Sequence, residues 1–196
     1  MSEQSSSLVD IQDLGSGIIK IILSDPDHKN TLSEKMIDEL QAVFDSQVDG
    51  DSRVLILAST GNVFSAGHDL KEIQAARSNA DQGQAYFKFI LKKCSALMQS
   101  IVRHPKPVIA QVDGVATAAG CQLALSCDVV YASTSSRFAT PGVNIGLFCS
   151  TPMVALSRNA SAKHSMEMLL TGDFISADEA ADKGLINKSI GQANLE

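Results

Sequence analysis

Two stretches of small residues sit where backbone groups could do chemistry. The first is Val63-Phe64-Ser65-Ala66-Gly67-His68-Asp69-Leu70-Lys71-Glu72, a buried strand that turns at a glycine into a charged helix start. Gly67 lets the backbone come close to a ligand, or simply lets a strand turn tightly into a helix. The second runs from Val112 to Asp128 through Gly114, Thr117, Ala118, Ala119, Gly120 and Cys121 into Gln122-Leu123-Ala124-Leu125. Here a strand passes through a small-residue turn into a helix. The first N–H groups of that helix have no partner within it, and they lie at the positive end of its dipole. Such a place stabilises an anion, or an oxygen on which charge develops. The same small residues would also suit close packing of helix on sheet.

Side chains offer fewer candidates. The His68 imidazole titrates in a range suited to acid–base work. A solvent-facing or cap-bonded histidine is the plainer alternative. Asp69 is expected to cap the helix that follows it. Cys149 is a candidate nucleophile, but no histidine partner for it is evident in the sequence. Asn144 is polar within an apolar run and is expected to line a pocket. Cys94, Cys121, Cys127 and Cys149 form no C-x-x-C pair, and His28, His68, His104 and His164 are scattered. That pattern predicts buried free thiols and no metal site.

The elements that must position these residues follow from periodicity. Val9 to Ser24 reads as two strands around Gly15-Ser16-Gly17. Ser33 is a plausible cap for a helix in which Met36, Ile37, Leu40, Val43, Phe44 and Val48 recur at helical spacing. Residues 53–59 read as a strand buried on both faces. A long helix is expected over about 84–103, then strands at Val108–Val112 and Val129–Ala132 with a short helix between them. Residues 74–85, polar and rich in Ala, Gln and Asp, read as a mobile loop. Ala162 to Thr171 is a further helix. Ser176-Ala177-Asp178-Glu179 is a capping box opening another, with Gly184 as its stop. Strand–helix–strand alternation implies parallel strands joined by right-handed crossovers.

Composition bounds the rest. The 196 residues are 44% hydrophobic and 19% charged, as expected of one globular domain. A net charge of -6 with no densely basic stretch argues against nucleic acid as a partner. No apolar run approaches the ~20 residues that span a bilayer. The start, MSEQSSSLVD, has neither an apolar signal core nor the arginines of a transit peptide, so the expected location is the cytoplasm.

Taken together, the two small-residue stretches, in this order, resemble the crotonase (enoyl-CoA hydratase/isomerase) family. Phe64 to Lys71 resembles its aromatic–small–Ala–Gly–small–Asp–apolar–Lys run. Gly114 to Asp128 resembles its Gly/Ala-rich turn and apolar helix closing on Cys-Asp. Lys29-Asn30-Thr31-Leu32, His104-Pro105-Lys106-Pro107-Val108-Ile109-Ala110 and Met166 to Gly172 resemble further signatures, and the likeness runs from about residue 8 onward. Within the family, Ser65 to Glu72, Ala118 to Leu123 and Phe138 to Pro152 resemble the enoyl-CoA hydratase domain-containing protein 3 branch. The resemblance implies an α/β fold, the crotonase-like (ClpP/crotonase) coil of ββα units, as a single domain over 1–196. Its core would span about 8–160 and a helical C-terminal part about 161–190, with the family's last helices absent.

The resemblance also assigns roles. The N–H groups of His68 and Ala119 would polarise a thioester carbonyl as an oxyanion hole. The acyl-CoA ligand would lie along His28, Lys29, Ala66, Gly67, Asp69, Leu70 and Lys71, with Gly120 and Pro141 beside it. No separate cofactor is implied, since coenzyme A is part of the substrate. Assembly as a homotrimer or hexamer is the family habit, weakened here by the shorter C-terminus. A hydratase of this family uses two glutamates around a water, one to give a proton and one to take it. Their positions here are Gln122 and Gly142, and neither titrates near neutral pH. The pocket floor, changed at Leu147 to Met153, should be bulkier and less polar. Three readings follow: a catalyst on acyl-CoA thioesters in fatty-acid metabolism, an acyl-CoA-binding protein without turnover, or a shortened chain without its own function.

Overall fold

β-Branched residues and a positive-φ turn make the first hairpin. In the computed structural model, which describes residues 7–195, β1 (Val9–Asp13) pairs antiparallel with β2 (Ile18–Leu23). Helix α1 (Glu34–Gln47) starts at Ser33, whose Oγ accepts from the Met36 N–H at 3.2 Å. The helix buries Met36, Ile37, Leu40 and Phe44 along one stripe, the face the spacing predicts.

Three units of strand, strand and helix follow. They are β3 (Val54–Ser59) and β4 (Val63–Ser65) with α2 (Leu70–Ala76) and α3 (Gln84–Val102); β5 (Val108–Val112) and β6 (Val115–Thr117) with α4 (Ala119–Leu125); and β7 (Val129–Ser133) and β8 (Arg137–Ala139) with α5 (Ser150–Asn159). The first strand of each unit joins one sheet and the second strand joins another. The larger sheet has the order β1-β2-β3-β5-β7-β10, with β10 at Lys188–Ile190, parallel except for the β1–β2 hairpin. The smaller has the order β4-β6-β8-β9, with β9 at Ile175–Ser176. Alternation between the sheets winds the chain into a coil.

The tail departs from a purely helical expectation. Helices α6 (Ala162–Thr171) and α7 (Ala177–Asp182) form as predicted, with Ser161 and Ser176 as caps. However, β9 (Ile175–Ser176) closes the smaller sheet against β8, and β10 (Lys188–Ile190) extends the larger one beside β7. These strands are too short to show a period in sequence. The stretch 74–85 is also more ordered in shape than expected: α2 runs to Ala76, and hydrogen-bonded turns lead to α3. The four cysteines are free and buried. No helix among the described residues is long and apolar enough to cross a membrane.

Candidate active site

The turn before α1 is fixed by one buried side chain. Lys29 and Asn30 both have left-handed backbones, with φ 58° and 48°. Asn30 is fully buried; its Nδ2 donates to the Thr60 and Val63 carbonyls at 2.9 and 2.8 Å, and its Oδ1 accepts from the Asp25 N–H at 2.8 Å. This ties the turn to the β3–β4 connection. The Ala66 N–H then donates to the Lys29 carbonyl at 3.1 Å, and the Leu32 N–H to the Gly67 carbonyl at 2.8 Å. His28 is exposed on this turn, with Nδ1 2.8 Å from Asp25 Oδ1.

Strapped down in this way, the Ala66–His68 segment meets the start of α4. Gly67 has φ 87°, and a Cβ on it would lie 3.1 Å from the Ala119 nitrogen, the Ala118 Cβ and the Thr117 carbonyl. Only a glycine leaves the two segments in this contact without strain. Thr117 Oγ1 donates to the Ala66 carbonyl at 3.1 Å. A Cβ on Gly120 would stand 2.2 Å from the Ser65 carbonyl, so α4 sits directly on β4. Ala118 holds φ 49° and ψ -121°, a conformation that costs a non-glycine residue about 1–3 kcal/mol. Its N–H donates to the Ala139 carbonyl at 3.0 Å, which helps to hold it there. Among the described residues, the N–H groups of His68 and Ala119 donate to no protein acceptor. Two free, adjacent backbone donors make an arrangement that can hold an oxygen carrying negative charge.

The His68 side chain is sheltered beside this pair. Both ring nitrogens are buried and without a hydrogen-bond partner. Burial pulls its pKa below the ordinary 6.5, offset only in part by the Leu32 backbone and the Glu72 carboxylate. Leu32 comes near the ring without reaching hydrogen-bonding geometry. Glu72 is itself pinned: its Oε2 accepts from the Tyr86 hydroxyl at 2.9 Å and from the Glu34 N–H at 3.0 Å. Burial and then the Glu72 carboxylate push the Tyr86 phenol well above its usual range. Nothing in the sequence signals the Glu72–Tyr86 link, since the two lie on different helices. Asp69 caps α2 as expected, accepting from the Lys71 N–H at 2.7 Å. Leu70 and Lys71 face outward, Leu70 at 60% exposure, where a ligand lying over this turn would meet them.

Gln122 and Gly142, where the resemblance implies two glutamates, differ in surroundings. Gln122 on α4 is 8% exposed and its Oε1 has no partner. It reaches a groove of about 490 Å³ between α3, α4 and α5, walled by Leu91, Met98, Leu125 and Val154. Gly142 follows Pro141 in a 3-10 turn. A Cβ there would stand 2.8 Å from both Cys149 Sγ and the Leu147 carbonyl. Burial raises the Cys149 pKa, and a hydrogen bond from the Gly142 backbone lowers it in part. The thiol therefore stands where a longer side chain at 142 would begin. Asn144 is exposed, at odds with a pocket-lining place: its turn carries it out to solvent. Among the described residues no cluster of histidine, cysteine or carboxylate could hold a metal ion.

Two sheets coiled from ββα units, with paired backbone donors at the turns between them, define a crotonase-type fold. A family model for enoyl-CoA hydratase/isomerase matches residues 13–196, and the chain belongs to that family. It is 48% identical over 181 residues to the rat protein named enoyl-CoA hydratase domain-containing protein 3, mitochondrial, covering 92% of this chain and 59% of that one. The crystal structure of the human protein of that name superposes with TM-score 0.89 at 48% identity, covering 96% of this chain and 72% of that one. An enoyl-CoA hydratase from Mycobacterium smegmatis gives TM-score 0.91 at 42% identity, covering 97% and 72%. The chain thus spans about three-fifths of the curated relatives it matches. The expectation of a cytoplasmic location is corrected by these relatives, since the rat, human, mouse and frog proteins are all named mitochondrial.

Proposed function

We propose that this protein binds acyl-CoA thioesters and stabilises an enolate or other oxyanion through the N–H groups of His68 and Ala119. The observation that carries this reading is the contact between Gly67 and the start of α4, which brings two unpaired N–H groups side by side. An acyl-CoA laid along His28, Lys29 and Ala66 to Lys71 would present its carbonyl to them. Gly120 would let it approach, Pro141 would flank it, and the groove beside Gln122 would take an acyl chain. Coenzyme A would enter as part of the substrate, with no further cofactor. Removing one such donor from an enzyme costs about 3–4 kcal/mol in the transition state. A place in fatty-acid metabolism and assembly as a trimer belong to the same reading.

Gln122 and Gly142 favour a second reading for hydration in particular. Without two carboxylates, one water proton cannot be taken while another is given to carbon. The protein would then hold acyl-CoA without hydrating it. Calorimetric titration with crotonyl-CoA, with the enoyl absorbance followed in parallel, tests both. Binding with loss of absorbance supports hydration, binding without it supports the second reading, and no binding overturns both.

A further inference from the structure

A buried imidazole with two unpartnered nitrogens is costly. Leaving a buried donor or acceptor unsatisfied forfeits its hydration with no bond in return. Native structures hold few such groups, and a catalytic role is one of the reasons for which they are kept. His68 Nδ1 and Nε2 are both in this state. The ring hangs from the same Cα as one of the two free N–H groups. An oxygen held by that N–H at about 2.9 Å would put its carbonyl carbon, and the carbon next to it, within a side chain's reach of the ring. The negative charge of Glu72 on α2 acts on the ring, Tyr86 from α3 and the first N–H of α1 at Glu34 hold Glu72 in place, and Asp69 is turned to the α2 backbone.

Resting on the acyl-CoA reading above, we propose that the His68 imidazole is a catalytic residue that carries the proton of the carbon beside the thioester carbonyl, so that the site enolises acyl-CoA. The neutral ring nitrogen takes that proton. The C–H electron pair becomes the carbon–carbon double bond of the enolate, and the carbonyl π pair moves onto the oxygen held by the N–H groups of His68 and Ala119. Return of the proton to the same carbon regenerates the thioester. Return two carbons further along a 3-enoyl chain gives the 2-enoyl isomer. Neither route consumes water or an oxidant, and neither needs carboxylates at positions 122 and 142. Glu72 stabilises the imidazolium formed in between, and Tyr86 keeps Glu72 in place.

Deuterium incorporation at the α-carbon of butyryl-CoA in D2O, followed by mass spectrometry on the full chain, tests this. The wild type is expected to incorporate deuterium. His68→Gln keeps the backbone donor, so it should bind butyryl-CoA calorimetrically within about threefold of wild type. It should exchange at least about 100-fold more slowly, the usual size of a general-base contribution. Glu72→Gln should shift the midpoint of the exchange–pH profile to lower pH. Should His68→Gln misfold by circular dichroism, His68→Ala with added imidazole replaces it, and partial recovery of exchange is expected. Exchange by His68→Gln at the wild-type rate overturns the role of the ring. Binding without exchange in the wild type also overturns it, and leaves the acyl-CoA reading standing. Failure of the wild type to bind overturns both.

Discussion

Gly67 and the backbone nitrogen of Ala119 are in contact: a Cβ on Gly67 would stand 3.1 Å from that nitrogen. Gly67→Ala therefore strains the φ of 87° and pushes α4 away at its first residue. The expected cost is about 1–2 kcal/mol of stability, read from urea midpoints. Affinity for crotonyl-CoA should fall at least tenfold in calorimetry. Unchanged affinity would mean that the two N–H groups do not act together.

Asn30→Ala removes three hydrogen bonds from one fully buried side chain. The carbonyls of Thr60 and Val63 then lose their partner inside the fold. A loss of about 2–4 kcal/mol is expected from unsatisfied buried groups, seen as a lower urea midpoint at the same slope. A loss below 1 kcal/mol would show that water replaces the amide.

Gly142→Glu puts a carboxylate where the resemblance implies one, but the space is taken by Cys149 Sγ and the Leu147 carbonyl. Overpacking of this kind costs about 1–3 kcal/mol. The variant should be less stable and gain no hydration of crotonyl-CoA. Adding Cys149→Ala should recover part of the stability. No recovery would place the strain on the backbone at Leu147.

Acid should weaken the fold through His68. Burial holds its folded pKa below 6.5, so between that lowered value and 6.5 the unfolded chain binds more protons. Stability then falls as pH falls through that window. The urea midpoint is expected to drop on acidification below about pH 6.5, and to drop less in His68→Gln. Equal drops in the two proteins would assign the effect to other groups.

Much of the frame was legible in the residues themselves. Ser33 and Ser176 announced their helices because a hydroxyl before an amphipathic run has a defined job at the first turn. The small residues from Ala116 to Gly120 announced a tight passage from strand to helix, which β6 and α4 form. The smaller sheet was legible only at its strand beginning at Val63, since strands such as Arg137–Ala139 and Ile175–Ser176 are shorter than any period. The start of α5 was hidden by Pro152 in its first turn. The Glu72–Tyr86 link and the approach of Cys149 to Gly142 depend on how separate elements dock, which local spacing does not encode.

The alternation of strands between two sheets has a consequence for assembly of the chain. Leu55 must find Val108, and Tyr131 must find Lys188, before either sheet has its neighbours in register. Few of these pairings are local, so the search is long and the folding rate is expected to be low for the chain's size. Until β10 docks, the β7 edge is a template for strands of other molecules. The interval between synthesis and closure of that edge is then the period in which this protein is most exposed to aggregation.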